Sequence, residues 1–169
     1  MKNLAIFALV LFSNGYIFAQ ISTGIKPLPN KAVETQKAIY LNTIDPAVMD
    51  ISFKTIKRST GDILRVTGTI KNKGGKNYTS GANQQNIQMW ENYSSANRKM
   101  VKQLRFNQLN SNSELQIIYE RPAFKNSKEF PPDYMVFIEY DPDIRMDSNT
   151  NNDDAVLSNN TMTKNPKSN

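Results

Sequence analysis

The chain contains no cysteine and no histidine. Without cysteine there is no disulfide, no thiolate metal ligand and no thiol nucleophile. A lipoprotein anchor, which needs a cysteine at its cleavage site, is not expected either. Without histidine the Ser–His–Asp and Cys–His systems are out of reach, and so are histidine-containing zinc sites. A Ser–Lys dyad or a pair of carboxylates stays formally open. Long apolar runs are also missing: the longest, Leu4–Phe12, is too short to anchor in a bilayer. There is one tryptophan, Trp90. Stability must therefore come from an ordinary apolar core, and 169 residues suffice for one domain that has one.

What is present begins with Lys2, then the apolar Leu4–Phe12 run, then a short polar stretch ending at Ala19. That order of charge, apolar run and small residue is that of a secretory signal peptide over residues 1–19. The mature protein is expected in a periplasm or outside the cell, and not to span a membrane. Residues 20–47 carry Pro27, Pro29 and Pro46 and read as an extended lead-in. Residues 161–169 are polar and read as a disordered tail. The net charge is +6, but residues 48–160 hold 15 basic and 13 acidic side chains, so the excess sits mostly in the flanks. A nucleic-acid footprint needs basic charge gathered on one face, and none is expected here.

Between the flanks the chain alternates. Ile51, Phe53 and Thr55 alternate with Ser52 and Lys54; Leu64, Val66 and Ile70 alternate with Arg65, Thr67 and Thr69, with Gly68 as a candidate bulge. Further strands are expected over Ile87–Tyr93, Met100–Phe106, Leu115–Glu120, Tyr134–Tyr140 and Ala155–Leu157. Turn signals at Asn72–Gly75 and Asn110–Ser113 separate them. About seven short strands with frequent turns point to an all-β, immunoglobulin-like Greek-key β-sandwich.

The residues from Arg65 to Gly75, with Asn72 and Gly74, resemble the second strand and "V-x-V-x-N-x-G" turn of CARDB modules, the cell-adhesion-related domain found in bacteria. Leu109, the turn at Asn110–Ser113 and the strand from Glu114 to Tyr119 resemble that family's "L-x-x-G-x-S" turn and following strand, without its glycine. Tyr140–Asp154 resembles its closing "D-P-D-N-x-V-x-E-S-N-E-x-N-N", with Ile144, Asp147 and Thr150 as departures and the Asn pair shifted by one. The resemblance covers residues 48–160. It implies an immunoglobulin-like domain that is secreted and has a binding or spacer role; it implies no particular ligand.

Three places carry candidate chemistry. In the acidic corner, Asp147, Asn149, Asn151 and Asp153 offer oxygens at alternate positions and are weak calcium candidates. The EF-hand pattern is not met, because Asn152 stands where that loop needs glycine and no Glu closes it. Asx turns that satisfy backbone donors are the plainer reading. No other cofactor is expected. The acids of this corner lie on one turn beside Arg145, with no opposing wall for a glycosidase-type pair. Next, Arg98, Lys99, Lys102 and Arg105 lie along one strand, with Lys99 and Arg105 expected on one side and Arg98 and Lys102 on the other. They read as charge protection of an edge. Finally, Trp90, Met135 and Phe137 are apolar on the outer side of strands whose inner side is already apolar. A sheet with one wet face does not need this. Either the lead-in covers them, through Ile39, Tyr40, Leu41 and Ile44, or they bind a partner protein, a second copy or a sugar. The expected function is a non-catalytic binding or adhesion module of a bacterial envelope, whose partner is an envelope protein, a polysaccharide or another copy. The alternatives are a carbohydrate-binding accessory protein and, further off, a hydrolase.

Overall fold

The first two alternating segments form an antiparallel hairpin, β1 (Pro46–Ile56) with β2 (Ile63–Asn72). The computed structural model describes residues 41–124 and 130–167. The expected signal peptide and most of the lead-in, including Ile39 and Tyr40, lie outside these residues. The hairpin is followed by β3 (Tyr78–Thr79), β4 (Gln85–Asn92), β5 (Arg98–Arg105), β6 (Gln108–Leu109), β7 (Glu114–Pro122), β8 (Asp133–Tyr140) and β9 (Thr161–Lys164). Two short 3-10 turns, Ile144–Met146 and Leu157–Asn159, lie between β8 and β9. Among the described residues no helix is long and apolar enough to cross a membrane.

The strands form three antiparallel sheets, ordered β1-β2-β7, β5-β4-β8-β9 and the two-residue pair β3-β6. The two larger sheets face each other, which makes the protein an all-β sandwich. Period-two alternation puts Ile51, Val66, Ile70, Ile87, Met89, Ile117 and Val136 between them, all essentially fully buried. In β1, β2, β4, β7 and β8 the face that meets the core is the one the sequence pattern marks.

Gly68 is not a bulge. It pairs in regular register with Ile51 on one side and Ile117 on the other. A Cβ built there would stand 2.9 Å from Ile117 Cγ2 and 2.9 Å from Val136 Cγ2. Glycine is therefore the residue that lets the sheets meet at this point. The bulges lie elsewhere, where the register skips Met49 in β1 and Val101 in β5. The second one changes the facing of the basic residues. Arg98 and Arg105 share one side through their partners Asn92 and Asn86, and Lys99 and Lys102 share the other through Glu91 and Met89. β5 is an edge strand and all four are exposed.

The end of the chain also departs from expectation. Ala155–Leu157 is not a strand: the Asp154 carboxylate accepts the Val156 N–H at 2.9 Å, giving that backbone donor a side-chain partner in place of a ladder. The last strand is β9, inside the segment expected to be a disordered tail. Met162, opposite Val136, turns onto the core, while Thr161 and Thr163 face out. Lys164 then reaches Asp50 at 3.4 Å, so β9 lies beside β1 of the facing sheet.

At the end of the sandwich marked by Asn92 and Pro122 a charged pair bridges the sheets. Glu91, 4% exposed on β4, accepts Arg121 Nη1 from β7 at 3.0 Å and the Tyr134 hydroxyl at 3.1 Å. Arg121 also lies 4.6 Å from the Phe124 ring centre.

Two substitutions test this packing by urea denaturation. Gly68→Ala should cost about 1–3 kcal/mol, because the methyls it meets are fixed close to the backbone. Arg121→Met should cost about 3–5 kcal/mol by leaving Glu91 buried and unpaired, and adding Glu91→Met should restore much of the loss. A double variant no more stable than Arg121→Met alone would contradict the charge argument.

Candidate functional site

The outer face of the four-stranded sheet brings the predicted apolar residues together. Trp90 on β4 is in register with Met135 on β8, and Phe137 is opposite Gln88 one pair further along. On the other flank Trp90 is opposite Met100 of β5. A row runs across the sheet from Thr163 through Met135 and Trp90 to Met100. Trp90, Met135 and Phe137 are half-buried, while Met100 is 44% exposed. A polar row borders it. The indole Nε1 of Trp90 donates to Gln88 Oε1 at 2.8 Å, the Gln88 amide donates to Glu139, and the Asn86 amide donates to Glu139 at 2.8 Å. The indole is thus held in one orientation by a chain of side chains from β4 and β8, a flat apolar surface with a polar rim.

The lead-in residues that the structure describes do not lie on this face. Ile44 is 3% exposed in the core and is bridged to Asp154. Leu41 is 61% exposed and its backbone lies against Gly75. This corrects the expectation for Leu41 and Ile44 as covers.

The acidic corner folds into successive Asx turns. Asp147 accepts the Asn149 N–H at 2.7 Å, and Asn149 accepts the Asn151 N–H at 3.1 Å. The other Asp147 oxygen accepts the amides of Gln84 at 2.8 Å and Asn152 at 2.7 Å. The backbone donor and the two amides hold the exposed Asp147 carboxyl below its usual range. Asn149 spends its amide N–H on the Thr79 carbonyl, at 3.0 Å. Asp147 and Asn149 are therefore committed to turns and to neighbouring Gln84 and Thr79, while Asp153 Oδ1 is buried without a hydrogen-bond partner among the described residues. Among the described residues no three acidic side chains gather as they would around a metal.

A second polar cluster, not predicted, lies at this end of the sandwich. Asp45, 1% exposed, precedes β1; Asp154, 4% exposed, and Asn160, 7% exposed, precede β9. Asp154 Oδ2 accepts the Asn160 amide at 2.6 Å and the Tyr140 hydroxyl at 3.0 Å. Asp45 Oδ1 accepts the Asn159 amide at 2.7 Å. The parallel bridge between Ile44 and Asp154, with the Ala155 N–H on the Ile44 carbonyl at 2.9 Å, brings the two acidic segments side by side. Burial pushes the Asp154 carboxyl above its usual range, and Asp45 adds to the effect; the donors from Val156, Asn160 and Tyr140 oppose it without cancelling it. Burial also raises the Tyr140 and Tyr78 phenols. Sequence reading misses this cluster because Asp45 falls in the expected extended lead-in and Asn159–Asn160 at the border of the expected tail, so nothing in the pattern groups them with Asp154. The Asn–Asn pair directly before a Thr-Met-Thr alternation was the available signal.

Comparison with known proteins gives no match, either to a family model, to a curated protein or to a solved structure.

The raised Asp154 carboxyl has a signed consequence. A buried acid whose folded pKa exceeds its unfolded value makes folding less favourable as pH rises from 3.8 through the folded value. Asp147 acts oppositely, adding stability above its usual range that is lost as pH falls. It is unchanged in Asp154→Asn and so cancels in a comparison of that variant with the parent. In EDTA, the stability of Asp154→Asn relative to the parent should rise between about pH 4 and about pH 7. A difference that stays constant over that range would contradict a titrating, buried Asp154.

Proposed function

We propose that the protein is a secreted, non-catalytic binding or adhesion module of a bacterial cell envelope, built on a CARDB-like, immunoglobulin-type Greek-key sandwich. It binds through the outer face of the β5-β4-β8-β9 sheet, with Trp90, Met135 and Phe137 as contact residues. The observation that carries this reading is the row Met135–Trp90–Met100, apolar, on an outer face, with its indole orientation fixed by Gln88. A rigid aromatic with a polar rim is what the centre of a protein or sugar contact uses, because little side-chain freedom is lost on binding.

Several features support the family reading. The strand order β1-β2-β7 and β5-β4-β8-β9 has the chain change sheets after β2, after β5 and after β7, as a Greek key does. Asn72 and Gly74, the Asn and Gly of the first motif, sit at the crowded end of β2. Asn112 stands where the second motif has glycine and takes φ 59°, a left-handed value that asparagine tolerates better than most residues. Secretion rests on the charge and apolar order of residues 1–19.

Polysaccharide is the second reading, favoured by the amides of Gln88, Asn86 and Gln103 along the same face. A hydrolase finds little support: the acids of the corner carry turns, and Asp62, in the surface hollow beside Pro122, is paired with Lys57 at 2.6 Å. Nucleic acid finds little either, because the basic residues of β5 divide between its two sides.

Retention on envelope polysaccharide and on solubilised envelope proteins, each at low and high salt, tests the proposal. Salt-resistant retention on one fraction is expected, and Trp90→Ala or Phe137→Ala should weaken it about tenfold or more. With a glycan ligand, Trp90 fluorescence should also change. Retention lost entirely at high salt would reduce the effect to charge in the tails. Retention indifferent to both substitutions would rule out this face.

A further inference from the structure

We propose that Asp45, Asp154, Asn159 and Asn160 form a site for a hard, oxygen-seeking divalent cation of the calcium type, at the end of the sandwich where β1 and β9 begin. The site is distinct from the Asp147–Asp153 loop.

Two carboxylates, Asp45 and Asp154, are buried together, and neither has a Lys or Arg ion pair among the described residues. Arg145 comes near but donates to the main-chain oxygen of Asp154, at 2.8 Å, not to its carboxylate. Buried negative charge in such a position calls for a cation or a proton. The oxygens around it point to a cation. Asp45 Oδ2, Asn159 Oδ1 and Asn160 Oδ1 are buried and have no hydrogen-bond partner among the described residues. An amide oxygen and an ionised carboxylate oxygen can only accept. The nearby donors are already committed: the Asn159 amide to Asp45, and the Asn160 amide and Tyr140 hydroxyl to Asp154. A proton on Asp45 Oδ2 would turn it into a donor to one amide oxygen, serving two of the three atoms and leaving the other amide oxygen and the Asp154 charge unmet. A cation placed among them would serve all three and neutralise both acids.

The donor set also fits the class of ion. Carboxylate and amide oxygens, without nitrogen or sulfur, suit calcium, which takes several oxygens and completes its shell with water. Two carboxylates make a modest site, of the millimolar kind found in extracellular modules. Its place gives it a structural effect. Asp45 immediately precedes β1, and Asn159–Asn160 immediately precede β9, the edge strands that lie beside each other across the two sheets. An ion there ties both edges to one point.

The test uses the full chain, freed of metal with EDTA. Calcium at about 10 mM, far above the expected affinity, should raise the melting temperature by about 5 °C or more, and magnesium should do less. Terbium should bind with luminescence sensitised by Tyr140 and Tyr78, displaced by calcium. Asp45→Asn should abolish the calcium shift and weaken terbium at least tenfold, whereas Asp147→Asn should keep both. If Asp45→Asn does not fold, Asn159→Asp serves in its place: the added carboxylate should lower the melting temperature in EDTA and enlarge the calcium shift. The same melting temperature in EDTA and calcium, with no calcium-displaceable terbium signal, would overturn the proposal. So would a calcium shift lost in Asp147→Asn and kept in Asp45→Asn, which would put the ion on the loop.

Discussion

One buried side chain, Asn72, sets the geometry of the polar end. It is 0% exposed at the last position of β2, and all four hydrogen-bonding positions of its amide are used. Its oxygen accepts the N–H of Asp45 at 3.1 Å and of Gly74 at 3.0 Å; its nitrogen donates to the carbonyls of Lys76 at 2.8 Å and Leu109 at 3.0 Å. Three segments far apart in sequence are thereby fixed to one amide. Gly74 is bound into the same arrangement, since a Cβ there would stand 2.2 Å from the Thr43 carbonyl oxygen. An aliphatic residue at 72 would leave two N–H groups and two carbonyls buried without partners, a larger loss than any single contact it could add. Placing Asp45 is the main result of this constraint, because its backbone N–H is held by Asn72 while its carboxylate faces Asn159.

The sandwich therefore carries polar groups at both ends and an apolar middle. At one end Glu91 and Arg121 join the sheets directly, with the Tyr134 hydroxyl as a third partner. At the other, Asn72 and the Asp45–Asp154 cluster join the lead-in, β2 and the entry to β9. The two ends differ in balance: the first is a cation and an anion, the second two anions. That difference is why only the second asks for something more. Between them the core needs no polar help, and Gly68 allows the sheets to close onto Ile117 and Val136.

Much of this was legible from period-two alternation alone. Ile51, Val66, Ile70, Ile117 and Val136 mark the inner faces, and Trp90, Met135 and Phe137 mark the outer one, because the pleat assigns a face to each residue without knowledge of its partner. Alternation fails where a residue is inserted. The extra Val101 reversed the facing of Lys99 and Arg98 relative to Lys102 and Arg105, and nothing in the local sequence marks it. It also fails for short strands: β9 offers one inward apolar residue, Met162, which is too little pattern to separate from a polar tail. The Asp45–Asp154 cluster was illegible for a different reason. Its members lie far apart in sequence, and the Asn72 amide, the Ile44–Asp154 bridge and the Asn159–Asp45 hydrogen bond bring them together.

The apolar face and the polar end are joined through β8. Tyr140 and Glu139 are consecutive, so they point to opposite sides of the sheet. Tyr140 donates its hydroxyl to Asp154 in the buried cluster, while Glu139 holds Gln88, which holds the Trp90 indole. One peptide unit thus belongs to both networks. Fixing Tyr140 fixes the backbone from which Glu139 projects, and with it the orientation of the aromatic surface. The strand that carries Glu139 is thus anchored where it ends, at the cluster around Asp154. The same residues that set the rigidity of the polar end therefore bear on how well ordered the outer face is.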